Sequence, residues 1–113
     1  MAQSNYNNFN TSVAPNGFIR GQYESTIPYN NIEISGICTN SGVMNVYQSN
    51  DKVQQLFDDS FLVSANVGFC QFVCVKANYM VLEFVNDNNL NTVKTLTLFK
   101  SGISAINPEN NLM

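Results

Sequence analysis

From Phe18 onward the pattern of apolar and polar residues is one of short strands. Ile32-Glu33-Ile34-Ser35 is the clearest stretch, with one face for a core and one for solvent. Beyond Gly36 the phase is lost, because Ile37 and Cys38 are adjacent, and a glycine at that point predicts a bulge. Thr39-Asn40-Ser41-Gly42 reads as a hairpin turn leading into a partner strand, Val43 to Gln48. A loop at Ser49 to Lys52, a strand within Leu56 to Val63 and a turn at Ala65 to Gly68 follow. Then come a strand from Phe69 to Lys76, a turn at Ala77-Asn78 and a strand from Tyr79 to Val85. Asn86 to Asn89 is a polar loop. Thr92 to Lys100 closes the series, with Leu96 and Leu98 on one face and Thr95 and Thr97 on the other. Nearer the start, Phe18 to Tyr23 opens the domain and Ile27 to Asn31 turns it.

Seven or eight short strands, with turn signals about every 8–12 residues, predict an all-β antiparallel sandwich of the jelly-roll or immunoglobulin-like kind. The best helical candidate, Asn50 to Asp59, is brief and poorly periodic. Phe69 to Val75 is apolar at both parities, which predicts a central strand covered on both faces. Its outer face would lie under a loop or the N-terminal segment, or else form a subunit interface.

The ends differ from the middle. Residues 1–17 are rich in asparagine and finish on Ala14-Pro15-Asn16-Gly17, which is turn chemistry. They predict an extended arm or linker, either frayed or ordered against a neighbouring subunit with Tyr6 and Phe9 as anchors. The sandwich is expected over residues 18–100, and 101–113 is a patternless tail containing Pro108.

Composition narrows the function. The 113 residues fit one domain, and Leu, Ile, Val and Phe supply 33 of them, enough for a core. Histidine and tryptophan are absent, so a Ser-His-Asp triad, a Cys-His dyad or a His-ligated zinc cannot be built from this chain alone. The formal net charge is -3 and the five basic residues do not cluster, which argues against a nucleic-acid groove. Nineteen residues are asparagine, so amides stand where most surfaces carry charge. The start has no basic or apolar leader pattern and no window approaches the ~20 apolar residues of a spanning helix. The expectation is therefore synthesis in a cytosol and no membrane partner.

Little catalytic chemistry is on offer. The carboxylates are scattered, and Glu33 and Glu83 occupy outward strand positions where solvation is expected. Asp58-Asp59 and Asn86-Asp87-Asn88 offer oxygen ligands but have no calcium-loop spacing. The three cysteines do not form a disulfide framework. Cys70 and Cys74 on one strand would sit roughly 13 Å apart on the same face, as two small buried apolar side chains. No catalytic residue, cofactor or metal is expected. Tyr23, Tyr29 and Tyr47, with asparagines nearby, are core or rim tyrosines, or else an aromatic platform for a sugar.

The order of motifs carries a resemblance. Gly21-x-Tyr23-Glu24-Ser25 with Pro28-Tyr29-x-x-Ile32-x-Ile34 precedes the run Thr39 to Asp51. Phe61-x-Val63-x-Ala65-Asn66-x-Gly68 follows, then Val73-x-Val75 through Asn86, Asn91-Thr92 and Leu96-x-Leu98. Over roughly Gly21 to Lys100 this resembles a small β-sandwich module of virion proteins in large double-stranded DNA viruses and tailed phages. There it occurs in minor capsid, head-decoration, head-fibre and spike chains. The resemblance implies a non-enzymatic structural protein of the virion whose partners are other virion proteins, in a capsid lattice or fibre. A homo-oligomer is expected from open sheet edges. A host glycan or receptor is the alternative partner. Tyr6, Phe9, Tyr23, Tyr29 and Tyr47 are the candidate contact residues.

Overall fold

The computed structural model describes residues 6–87 and the backbone of 93–101. Nine strands run through it: β1 (Phe9–Val13), β2 (Phe18–Arg20), β3 (Glu24–Ser25), β4 (Asn31–Cys38), β5 (Gly42–Ser49), β6 (Gln55–Val63), β7 (Phe69–Cys74), β8 (Tyr79–Val85) and β9 (Val93–Ser101). One sheet has the order β1-β9-β4-β7 and the other β2-β8-β5-β6, with β3 also pairing β8. All these pairings are antiparallel. Because β2 and β3 follow one another along β8, they act as one interrupted strand. The chain passes from sheet to sheet at each connection except the β2–β3 interruption and the hairpin β5–β6. An eight-position order of 1-8-3-6 over 2-7-4-5 is the jelly-roll arrangement of a β-sandwich.

The alternation of the sequence sets the core. Ile32, Ile34 and Cys38 of β4 face Met44 and Val46 of β5, Val63 of β6 and Met80, Leu82 and Phe84 of β8. Each is essentially fully buried. Burial of side chains this size contributes roughly 1.5–3 kcal/mol apiece, which is what opposes the ordering of so many strand residues.

Four expectations are corrected. The N-terminal segment is not an arm: β1 pairs with β9 from Phe9↔Thr97 to Val13↔Val93, and Phe9 and Val13 are both 4% exposed in the core. The sandwich thus begins before residue 18. Gly36 makes no bulge, since β4 keeps one register with β7 and with β9 throughout. Inward parity runs Ile32, Ile34, Gly36, Cys38, and Ile37 simply points out, 42% exposed. Thr39 to Ser41 is not a hairpin turn but a crossover, because β4 and β5 belong to different sheets. Finally, β7 is an edge strand among the described residues and not a central one, and its outer face is exposed, Phe72 at 66%.

Of the predicted loop at Asn86 to Asn89, Asn86 is buried and Asp87 exposed. Residues 88–92 and the predicted tail after Ser101 lie outside the described residues, as do the side chains of Leu96, Leu98, Thr95 and Thr97.

Candidate functional site

The five candidate contact residues fall on five different segments. Phe9 opens β1 and is spent in the core, which removes it as a partner anchor. Tyr6, just before it, is 55% exposed. Tyr23 is half-buried in the break between β2 and β3. Tyr29, in the β3–β4 connection, packs against the core from a half-buried position. It also lines a groove of about 280 Å³ with Thr26, Ile27, Asn50 and Ala77.

Tyr47 stands on the outer face of the β5–β8 pair, where Glu83 is a hub. The Tyr47 hydroxyl and Asn45 Nδ2 each donate to Glu83 Oε1 at 3.1 Å. Arg20 Nη1 lies 3.6 Å from Glu83 Oε2, and the Arg20 guanidinium sits 5.0 Å from the Tyr47 ring centre. Glu83 is therefore held by three neighbours and not simply solvated. Burial, and then the hydrogen bond to the Glu83 carboxylate, push the Tyr47 hydroxyl above the ordinary tyrosine range. As a sugar platform this ring is poorly available, because its own chain already supplies a cation to its face.

The two lateral sides of the sandwich are built differently. On the side where β1 approaches β2, buried amides seal the gap. Asn7, fully buried, donates to Gln22 O and Glu24 Oε1 and accepts from the Leu82 N–H. Asn86, also fully buried, donates to Val13 O and Ala14 O at 3.2 Å. An amide has both donors and an acceptor, so one side chain can satisfy the backbone of two strands. Gly21 completes the seal, since a Cβ there would overlap the Asn7 side chain.

On the opposite side the edges β6 and β7 lie together, and among the described residues neither pairs with a further strand. Phe61 of β6 and Phe69 of β7 meet at 5.6 Å between ring centres. Lys76 Nζ reaches Asp59 Oδ2 at 4.0 Å and lies 5.7 Å from the Phe57 ring centre. A cleft of about 260 Å³ runs between the strands, lined by Asp59, Phe61, Gln71, Val73 and Lys76 among others. Around it stand Leu62, 80% exposed, Phe72, 66% exposed, and Leu56 and Phe57. The register places Cys70, Phe72 and Cys74 opposite Ser35, Glu33 and Asn31, the outward residues of β4. The two cysteines do share a face, as the spacing predicts, but both are exposed and not buried. Cys70 Sγ donates to Glu33 Oε2 at 3.4 Å.

None of these open-side residues is among the five candidate contact residues, Tyr6, Phe9, Tyr23, Tyr29 and Tyr47. The signal is the doubly apolar run Phe69 to Val75, for which a covered outer face and a subunit interface are the two expectations, and the exposed Phe72 agrees with the second. Among the described residues no group of three or more cysteines and carboxylates could hold a metal ion.

Fold and surface together define a jelly-roll β-sandwich with one sealed and one open side. A similar fold is found in the crystal structure of PBSX exported protein XepA, with a TM-score of 0.66 and 13% identity over 92% of this chain. The chain corresponds to 40% of the XepA chain, and at that identity the likeness is one of fold. No family model and no curated protein matches the sequence.

Proposed function

We propose that this chain is a non-enzymatic structural module of a virion, an accessory of the capsid or a fibre, that works by protein–protein contact through its β6–β7 side. The observation that carries the reading is the pair of adjacent free edges flanked by Leu56, Phe57, Leu62 and Phe72. Exposed apolar side chains grouped around unpaired strands mark an interaction surface. The jelly roll is a common architecture of capsid and lectin domains, although a fold alone does not assign a role. The likeness to PBSX exported protein XepA supports a phage-related structural role. Weak contacts suffice in such a setting, because a particle presents many copies at once.

The test is to follow the chain by mass spectrometry through a density gradient of particles from its source culture. Co-migration with intact particles at a fixed copy ratio is the expected result. Recovery only in the particle-free fraction refutes the virion role, and would move attention to a released receptor- or glycan-binding module.

A further inference from the structure

We propose that β7 pairs antiparallel with β7 of a second copy of this chain, about a two-fold axis through Phe72, joining two four-stranded sheets into one. The inference deepens the proposed function by naming a partner for the open side, and it rests on that reading only for its biological setting.

Hydrogen-bond parity sets the register in which this occupant fits. Val75 N donates to Asn30 O at 2.8 Å, and the β4–β7 register, continued one residue past Asn31↔Cys74, puts these two residues directly opposite one another. They therefore form a hydrogen-bonded pair, and in an antiparallel ladder such pairs alternate. Val73, Gln71 and Phe69 turn their backbone groups to β4, while Cys74, Phe72 and Cys70 turn theirs to the free edge. The position of Cys74 O agrees, because it accepts from Gln48 Nε2 at 3.0 Å, away from β4. A two-fold centred on Phe72 matches outward groups with outward groups and engages all three residues, Cys74 O keeping its bond from Gln48 and accepting the second copy's N–H with its other lone pair. A centre on Gln71 or Val73 engages two of them, and a centre between residues mismatches the parity.

The two open edges differ in charge. Pairing β6 with itself would bring Asp58 and Asp59 against their own copies, a direct like-charge opposition. β7, Phe69-Cys70-Gln71-Phe72-Val73-Cys74, carries no charge and no proline. In the proposed register Phe72 lies opposite the partner's Phe72 and covers an apolar ring now 66% exposed. Cys70 lies opposite the partner's Cys74, and Cys74 opposite the partner's Cys70, within the Cα separation a disulfide tolerates.

That symmetry gives an experiment with complementary arms. Sedimentation of the native chain from micromolar to millimolar concentration is expected to shift from 12.6 kDa towards twice that mass. Phe72→Lys and Phe72→Asp each place like charges on the axis and are expected to stay monomeric, with unchanged circular dichroism because the side chain is exposed. Mixing the two restores the dimer. Cys70→Ser and Cys74→Ser, oxidised separately with copper–phenanthroline and oxygen, are expected to cross-link slowly. Their equimolar mixture is expected to cross-link at least about tenfold faster, two thiols giving two electrons and two protons to oxygen. A chain monomeric throughout the range overturns the proposal. So does a dimer that survives either charge, or single-cysteine variants that cross-link as fast alone as mixed. Each readout uses the isolated chain, so failure here leaves the particle experiment to judge the virion role separately.

Discussion

Asn7 is the sharpest place to perturb the fold, because one small side chain ties the N-terminal segment to two others. Its amide donates to Gln22 O at 2.8 Å and Glu24 Oε1 at 2.6 Å, and its oxygen accepts from Leu82 N at 2.9 Å. In Asn7→Ala these three partners fare differently. Gln22 is exposed and Glu24 half-buried, so water recovers most of their bonding. Leu82 is fully buried in the middle of β8, and its N–H is left without an acceptor. An unsatisfied buried donor costs about 1–3 kcal/mol, and the lost bond to a carboxylate adds roughly another 1 kcal/mol after solvent compensation. The expected loss is about 2–4 kcal/mol, against a total stability of roughly 5–15 kcal/mol for a domain. At roughly 4 °C per kcal/mol for a chain of this size, the melting temperature falls by roughly 8–16 °C. Thermal and urea unfolding followed by far-ultraviolet circular dichroism measure this. Asn8→Ala, one residue along and exposed, is the control and should stay within about 0.5 kcal/mol of the native chain. If both variants melt alike, or if the Leu82 amide keeps its hydrogen-exchange protection in Asn7→Ala, the buried tie is refuted.

The corrected phase through Gly36 predicts that Ile34→Ala costs about 2–5 kcal/mol in urea unfolding while Ile37→Ala costs under about 1 kcal/mol; comparable losses would restore the bulge. Gln48→Ala deprives Cys74 O, Lys76 N and Ala77 N of their shared partner, and is expected to lose about 2–4 kcal/mol with faster exchange of the Ala77 amide. Tyr47 holds its proton more tightly when folded, so its contribution is present below about pH 10 and lost as pH rises through its raised pKa. Tyr47→Phe should remove a late-titrating component from the phenolate absorbance.

Strands with one wet face could be read directly. The alternation of β4 and β5 matches their burial, and the predicted strand from Tyr79 to Val85 coincides with β8. The misreadings share a cause, which is that local pattern does not encode the distant partner. Phe9-Asn10-Thr11-Ser12-Val13 offers only two apolar side chains, and what makes it a strand is its pairing with the distant β9, from Phe9↔Thr97 to Val13↔Val93. Thr39 to Gly42 has residues that bend a chain, but bending is equally needed to turn a hairpin or to change sheets. Asparagine, read as surface, supplies two fully buried residues, Asn7 and Asn86, because an amide can bond donors and acceptors of neighbouring strands at once. The candidate tyrosines were chosen by residue type, whereas the open side is a property of strand order.

The treatment of the four sheet edges explains why one of them is the place for a partner. The β1 and β2–β3 edges are closed against each other by buried amides. β6 is guarded in the ways that discourage pairing: Asp58 and Asp59 at its centre, Lys76 laid across its inner face, and a register shift against β5 at Gln48/Ser49. Among the described residues β7 carries no charge and no register shift, Gln48 reaches it only at the Cys74 carbonyl, and it adds an exposed phenylalanine at the middle of its outer face. An unguarded neutral edge invites open-ended association unless a single pairing consumes it. A two-fold contact does so, because each copy has one β7 and each β7 has one free side, so the pair closes on itself. Charge at Phe72 would then leave β7 blocked in every copy, while loss of the Asp58 and Asp59 charges would open β6 as a second, unclosed edge. Asp58→Asn/Asp59→Asn is accordingly expected to take the chain past the dimer into larger species by light scattering. A variant that stops at two copies would show that the two acidic residues do not guard that edge.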